Sequence, residues 1–197
     1  MKYFAGVGSR ETPLTVLNTM SFIAFINEKH GYILRSGGAE GADAAFAKGC
    51  SLENQEIYVP WKNFNKVPNG IYEGNVKEGE IVASEIHEAW HRCSHGAKKL
   101  HTRNTFQVLG PNPISNPIPV DFVVCYTKGG LDVGGTRTAI MLARHNNIPV
   151  FNLGIFDYVD KPTERVEEWY FIQYEKWLKE TLVDCIIVKQ VKHYDFN

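Results

Sequence analysis

Neither a Gly-Lys-Ser/Thr triplet nor a Cys-x-x-Cys pair occurs in this 197-residue chain. The first absence excludes a P-loop, in which a lysine behind a glycine turn reaches the phosphates. The second, with the wide spacing of Cys50, Cys93, Cys125 and Cys185 and no secretory leader, points to reduced thiols in a cytoplasmic protein rather than a disulfide framework. Long apolar runs are missing too: Met20 to Ile26 is short and is followed at once by Glu28, Lys29 and His30, so no membrane span or leader is expected. Charge of one sign is absent, since 21 Lys and Arg against 22 Asp and Glu leave a net charge of -1. That balance argues against a nucleic-acid binder working by bulk electrostatics. Repeats, low-complexity tracts and long linkers are also lacking, so residues 1–197 are expected to form one domain.

The chain does contain alternating strand-like and helix-like segments. "KYFAGVGS" is an apolar run broken by glycine, and Leu14, Leu17, Met20, Ile23, Ala24 and Ile26 recur at helical spacing. Thr12 is the expected N-cap of that helix, Pro13 its first residue and Gly31 its stop. "YILRS" reads as a strand, Ala42 to Lys48 as a helix and "QEIYVPW" as a third strand. Ile81 to Gly96 and His101 to Leu109 carry helical patterns, while the four prolines of "PNPISNPIPV" exclude helix. "DFVVCYT", "TRTAIMLARHNN" and "IPVFNL" then read strand, helix, strand. A helix over Thr163 to Leu182 and the strand "DCIIVKQV" form an extension from about residue 157. The fold class expected is α/β: a Rossmann-like, open, mainly parallel sheet with helices on both faces.

Glycine concentrates at three strand-to-helix junctions: Gly6-Val7-Gly8-Ser9-Arg10, Ser36-Gly37-Gly38-Ala39, and Gly129 to Gly135 followed by Thr136-Arg137-Thr138. Parallel strands bring such junctions to one edge of the sheet, where open α/β folds bind ligands. Glycine lets backbone N–H groups approach a phosphate, and a helix start behind it adds unpaired donors and a positive dipole end. Three such turns on one edge favour a nucleotide-like ligand over three independent structural turns. "GVGSRE" lacks the third glycine of a dinucleotide fingerprint.

"GVGSRETP", "RSGGAEGADAAFAKG", "EIYVPW", "HTRNTFQVLG", "DFVVCYT" and "VGGTRTAIMLARHNNIPVFNL", in this order, resemble the SLOG superfamily. Within it they are most similar to the YspA/cpYpsA-like group, with DprA/Smf and the LOG ("lysine decarboxylase-like") proteins more distant. The resemblance spans Lys2 to Leu153 and implies a Rossmann-like fold that binds a nucleotide or nucleotide-derived ligand. Carried onto this sequence, it implies a first phosphate or ribose loop of Gly8, Ser9 and Arg10. A second would hold Ser36, Gly37, Gly38, Gly41 and Asp43; Arg103 and Asn104 would approach from the preceding helix, and Gly134, Gly135, Thr136 and Thr138 would cradle a phosphate. LOG-type phosphoribohydrolases carry a glutamate after their Gly-Gly-x-Gly-Thr turn. Here "GGTRTA" offers Arg137, Thr138 and Ala139 and no acid. N-glycosidic cleavage needs a carboxylate, so binding is expected ahead of catalysis. Arg103, Asp132 and Glu40 are the catalytic candidates should hydrolysis occur. A single-stranded DNA binder of the DprA kind is the other alternative, with Lys98, Lys99 and Arg103 its meagre basic support.

Several residues carry two readings. Arg10 and Arg103 suit an anion or a salt bridge, and Asp43 suits a ribose or the start of its helix. Arg137, a cation in a first helical turn, opposes the dipole and so suits an anionic ligand or partner. His87, His91, Cys93, His95 and His101 are the densest set of potential metal ligands, and His87-Glu88-Ala89-Trp90-His91 has the letters H-E-x-x-H. No third ligand follows at zincin spacing, so a polar helical face and no metal are expected. Tyr58, Trp61, Phe64 and Tyr72 suit core or subunit contact ahead of base stacking. Trp169, Tyr170, Phe171, Tyr174 and Trp177 form a docking face or a homodimer contact. The partners expected are a small-molecule nucleotide ligand and a second copy of the chain, with no further cofactor, no membrane and nucleic acid not favoured.

Overall fold

Strands β1 (Lys2–Gly8), β2 (Tyr32–Ser36), β3 (Gln55–Ile57), β4 (Phe122–Tyr126) and β5 (Val150–Asn152) form a fully parallel sheet in the order β3-β2-β1-β4-β5. The computed structural model describes residues 1–72, 74–156, 168, 170, 172, 173, 175 and 176. Helices α1 (Leu14–Lys29), α2 (Ala42–Gly49), α3 (Val76–Ile86), α4 (His95–Leu109) and α5 (Arg137–His145) complete the α/β fold. Strand order runs outward from β1 to β3 and then restarts on the other side with β4, the doubly wound pattern of Rossmann-like proteins. Among the described residues no helix is long and apolar enough to cross a membrane.

Alternation along each strand creates two cores. Phe4, Leu34, Phe122, Val124 and Phe151 enter one with Met20, Ile23 and Phe46. Tyr3, Ala5, Val7, Val123 and Cys125 enter the other, with Val108, Leu109, Ile140 and Leu142. Because both faces are covered, the strands read as continuous apolar runs rather than alternating ones. Phe122 stacks on Phe4 at 5.7 Å and meets Tyr32 edge-on at 5.2 Å. Removing each such ring from water contributes roughly 2–3 kcal/mol.

Local chemistry explains the element ends and several departures from expectation. Thr12 does not cap α1: its hydroxyl donates to Ser9 O at 2.8 Å, and Pro13 occupies the N-cap position. The buried face of α1 is Val16, Thr19, Met20, Ile23, Ala24 and Asn27, so Leu14, 72% exposed, lies off it. At α3 the Asn75 side chain caps the helix by accepting from Glu78 N–H (3.3 Å), and its amide also donates to the Glu78 carboxylate (2.8 Å). The other Glu78 oxygen accepts from Ile114 and Ser115 N–H, pinning the proline-rich loop. The helix expected over Ile81 to Gly96 is two elements, because α3 ends at Ile86 and α4 starts only at His95, capped by Ser94. Strand β3 stops at Ile57, and Tyr58 forms an isolated bridge to Ile71. Tyr170 docks on the first core, edge-on to Phe151 at 5.6 Å, with its hydroxyl accepting from Asn27. The remaining aromatics named for that docking face, and the strand "DCIIVKQV", lie outside the described residues.

Candidate functional site

A parallel sheet places the C-terminal ends of all five strands on one edge, and the winding reverses between β1 and β4. The loops leaving those neighbours therefore diverge, opening a crevice between them. A cavity of about 550 Å³ occupies it. Nine of the sequence-derived ligand residues line it: Gly8, Ser9, Arg10, Asp43, Arg103, Asn104, Gly134, Gly135 and Thr136.

The remaining five stand elsewhere. Ser36 is fully buried, and its hydroxyl donates to Gly6 O at 2.7 Å, fastening β2 to β1. Gly41, at φ +78°, receives the backbone of the first loop; a Cβ there would lie 2.6 Å from Arg10 O. Gly38 lines a neighbouring cavity of about 540 Å³ between α2, β3 and residues 65–68. Thr138 pairs its Oγ1 with His101 Nδ1 at 2.8 Å.

Gly37 is the most informative of the five. A Cβ on it would fall 1.0 Å from Arg103 Nη1 and 2.7 Å from an Asp43 oxygen. What approaches the backbone at this glycine is thus a guanidinium of the protein itself. Arg103 Nη1 donates to Asp43 Oδ2 at 3.1 Å, and both side chains are more than nine-tenths buried. Gln107, one helical turn along α4, completes the arrangement. Its amide orientation follows from its neighbours: the oxygen accepts from Gly37 N–H (2.8 Å) and Arg103 Nη1 (3.2 Å), and the nitrogen donates to Asn104 Oδ1 (2.9 Å). Asn104 Nδ2 in turn donates to Gly135 O at 2.9 Å. One polar face of α4 therefore ties the β2 loop, α2 and the loop before α5 to one another.

Electrostatics follow from that burial. Desolvation raises the Asp43 carboxyl above its ordinary range, and Arg103 with the Ala39 and Gly8 N–H groups recovers part of the shift. Arg103 Nε is buried in the cavity wall with no protein partner among the described residues. His101 also lines the cavity, and its imidazole is pushed down to about 4 by burial and by the nearby charges of His87 and Arg103. It is neutral near pH 7.

Gly134 and Gly135 differ from the glycines behind them, because a Cβ on either would meet nothing within 4 Å. They stand before α5, whose dipole favours an anion, although the first N–H of the helix, that of Arg137, already donates to Gly134 O at 3.2 Å. Lys128 and Arg10, both exposed, add positive charge to the lining, and Glu11 adds a carboxylate. Arg137, by contrast, is committed to Glu88 at 2.7 Å.

No protein-family model matches this chain, and no curated protein matches it in sequence. A solved structure similar to it is that of DNA processing protein A from Helicobacter pylori, reported for its single-stranded DNA binding mode. The two share 16% identity at a TM-score of 0.43, over 77% of this chain and 64% of that one. The Rossmann-like assignment rests on the strand order and not on this likeness.

Other sequence candidates fall outside the cavity. Asp132 pairs with Arg144, and Glu40 lines the neighbouring cavity. Tyr58 and Phe64 are buried, Trp61 packs edge-on against Phe64, and none of these or Tyr72 reaches the crevice. Sequence reasoning missed Gln107 and Lys128 as lining residues. Gln107 was legible in principle, being four residues after Arg103 on a helix and so on the same face. Lys128 carried no signal beyond its place after a strand.

Proposed function

We propose that this protein binds a nucleotide or nucleotide-derived small molecule in the crevice between β1 and β4. The observation that carries this is the convergence, around one cavity of about 550 Å³, of the Ser9-Arg10 turn and the unobstructed Gly134-Gly135-Thr136 turn at the start of α5. Such a volume suits a mononucleotide-sized ligand. The unpaired Arg103 Nε supports the reading, since a buried donor gains about 1–3 kcal/mol from a partner. In this reading the α5 N-terminus and Arg10 receive the phosphate, while Arg103, held rigid by Asp43 and Gln107, meets a sugar or base acceptor. Binding rather than cleavage is favoured because the carboxylates nominated for hydrolysis, Glu40 and Asp132, do not line this cavity, and of the two that do, Asp43 is tied to Arg103 and Glu11 stands exposed at the rim.

Calorimetric titration with a panel of nucleoside phosphates and ADP-ribose derivatives, with mass spectrometry of co-purified small molecules, tests the proposal. Saturable binding that weakens in Thr136→Val is expected. Absence of binding by every member of the panel to the folded chain overturns it. Release of free base from AMP would move the conclusion to hydrolysis, and salt-dependent oligonucleotide binding would move it to DNA.

A further inference from the structure

Cys93, His87 and His101 come from three different places in the fold. His87 is the residue that ends α3, Cys93 follows the short turn at Trp90–Arg92, and His101 sits in the second turn of α4. Packing of α3 on α4 brings them together. Cys93 Sγ is 3.9 Å from the His87 ring nitrogens, the two imidazole centroids are 4.3 Å apart, and one donor atom from each residue lies within 4.8 Å of the others. All three are half-buried. His91, the other half of the H-E-x-x-H letters, is exposed and outside the group, so this is not the arrangement those letters suggested.

We propose that His87, Cys93 and His101 form a binding site for a zinc-class divalent cation, with a fourth position left to a non-protein ligand. Two imidazoles and one thiolate are a donor set that selects zinc or cobalt over magnesium or calcium. In a tetrahedral site with ordinary Zn–N and Zn–S bonds, donor atoms stand about 3.3–3.6 Å apart. The Cys93–His87 spacing of 3.9 Å is within about 0.5 Å of that, and no pair exceeds it by more than about 1.5 Å, within reach of side-chain rotation. A second observation supports the assignment. His101 Nδ1 is taken by Thr138 Oγ1 at 2.8 Å, which orients the ring and leaves Nε2 for a metal. Thr138, which the sequence suggested as part of a phosphate cradle, thus becomes the outer partner of a metal ligand. On binding, the Cys93 thiol, now 3.6 Å from Ala89 O, loses its proton to solvent and ligates as thiolate; no electron is transferred. Because His101 also lines the crevice, the site adjoins the nucleotide cavity, yet its existence does not depend on nucleotide binding.

The test uses the full, reduced, metal-free chain titrated with Co²⁺ and then Zn²⁺. Stoichiometric Co²⁺ binding with a thiolate-to-cobalt charge-transfer band and the visible bands of a tetrahedral site is expected, and Zn²⁺ should displace it. Cys93→Ser should abolish the charge-transfer band. His87→Gln and His101→Gln should weaken Zn²⁺ by more than the roughly 10- to 100-fold that loss of an outer partner costs. Thr138→Val should keep the band while weakening Zn²⁺ about 10-fold. Circular dichroism checks folding. Because a variant can unfold, the unaltered chain supplies a separate readout: Zn²⁺ should protect Cys93 from alkylation, as mapped on peptides. Absence of a charge-transfer band, a band that survives Cys93→Ser, or Cys93 labelling unchanged by Zn²⁺ would overturn the site.

Discussion

Gly37 and Arg103 define one another at the residue scale. Gly37→Ala would place a methyl on the guanidinium and force Arg103 from Asp43, leaving a charge buried without its partner. Breaking a buried pair by removing one side costs about 3–5 kcal/mol, and a urea titration of Gly37→Ala should show a loss of about that size. Glu28 offers a pH-dependent prediction. One of its carboxylate oxygens accepts from Ser51 N–H, from the Ser51 hydroxyl and from the Asn54 amide, and the Ser51 and Asn54 side-chain bonds lower its pKa most. A carboxyl lowered on folding stabilises the native state above its unfolded value, and that contribution is lost as pH falls through the folded value. Stability measured by denaturant titration should therefore decline below about pH 4.5, and Glu28→Gln should remove that part of the slope.

Elements decide which glycines open onto the crevice. Three glycine turns looked equivalent in sequence, but packing has divided them. The turn after β2 is filled by Arg103 and by neighbouring loops, whereas the turn before α5 is open. Gly135→Ala separates these roles: with open space around its Cβ and no positive φ, stability should change by less than about 0.5 kcal/mol. If the crevice takes a nucleotide as proposed, the added methyl should hold the phosphate off the backbone, and affinity measured by calorimetry should fall by roughly 10-fold or more, as if a hydrogen bond to a charged group were lost. Most element positions were legible because glycine, proline and apolar period mark them directly. The stretch between Ile86 and His95 was not, since its histidines and alanine are compatible with helix. The break there falls between His87, where the backbone turns extended at the end of α3, and Ser94, whose side chain caps the start of α4.

The whole molecule sets the reactivity of its thiols. Cys125 lies in the sheet and Cys50 beneath α1, and burial raises both thiols, Cys50 to about 12 with help from the Glu28 charge. Cys93 is half-exposed. Alkylation of the native, metal-free chain at mildly alkaline pH should label Cys93 quickly, and should reach Cys50 and Cys125 only on unfolding, as peptide mapping will report.

By itself the sequence determined the α/β class, the parallel sheet and the loops that meet at one edge. Those properties follow from local period, turn chemistry and the handedness of strand connections. It also nominated nine residues that line the crevice. Tertiary structure alone decided what each glycine accommodates, that Ser36 and Thr138 bond to protein groups, that Gln107 orders the arginine, and that Cys93 meets His87 and His101. Contacts between residues 60 positions apart, such as Arg103 with Asp43, leave no local mark in a chain. They exist only once both cores have packed and α4 lies across the strand ends.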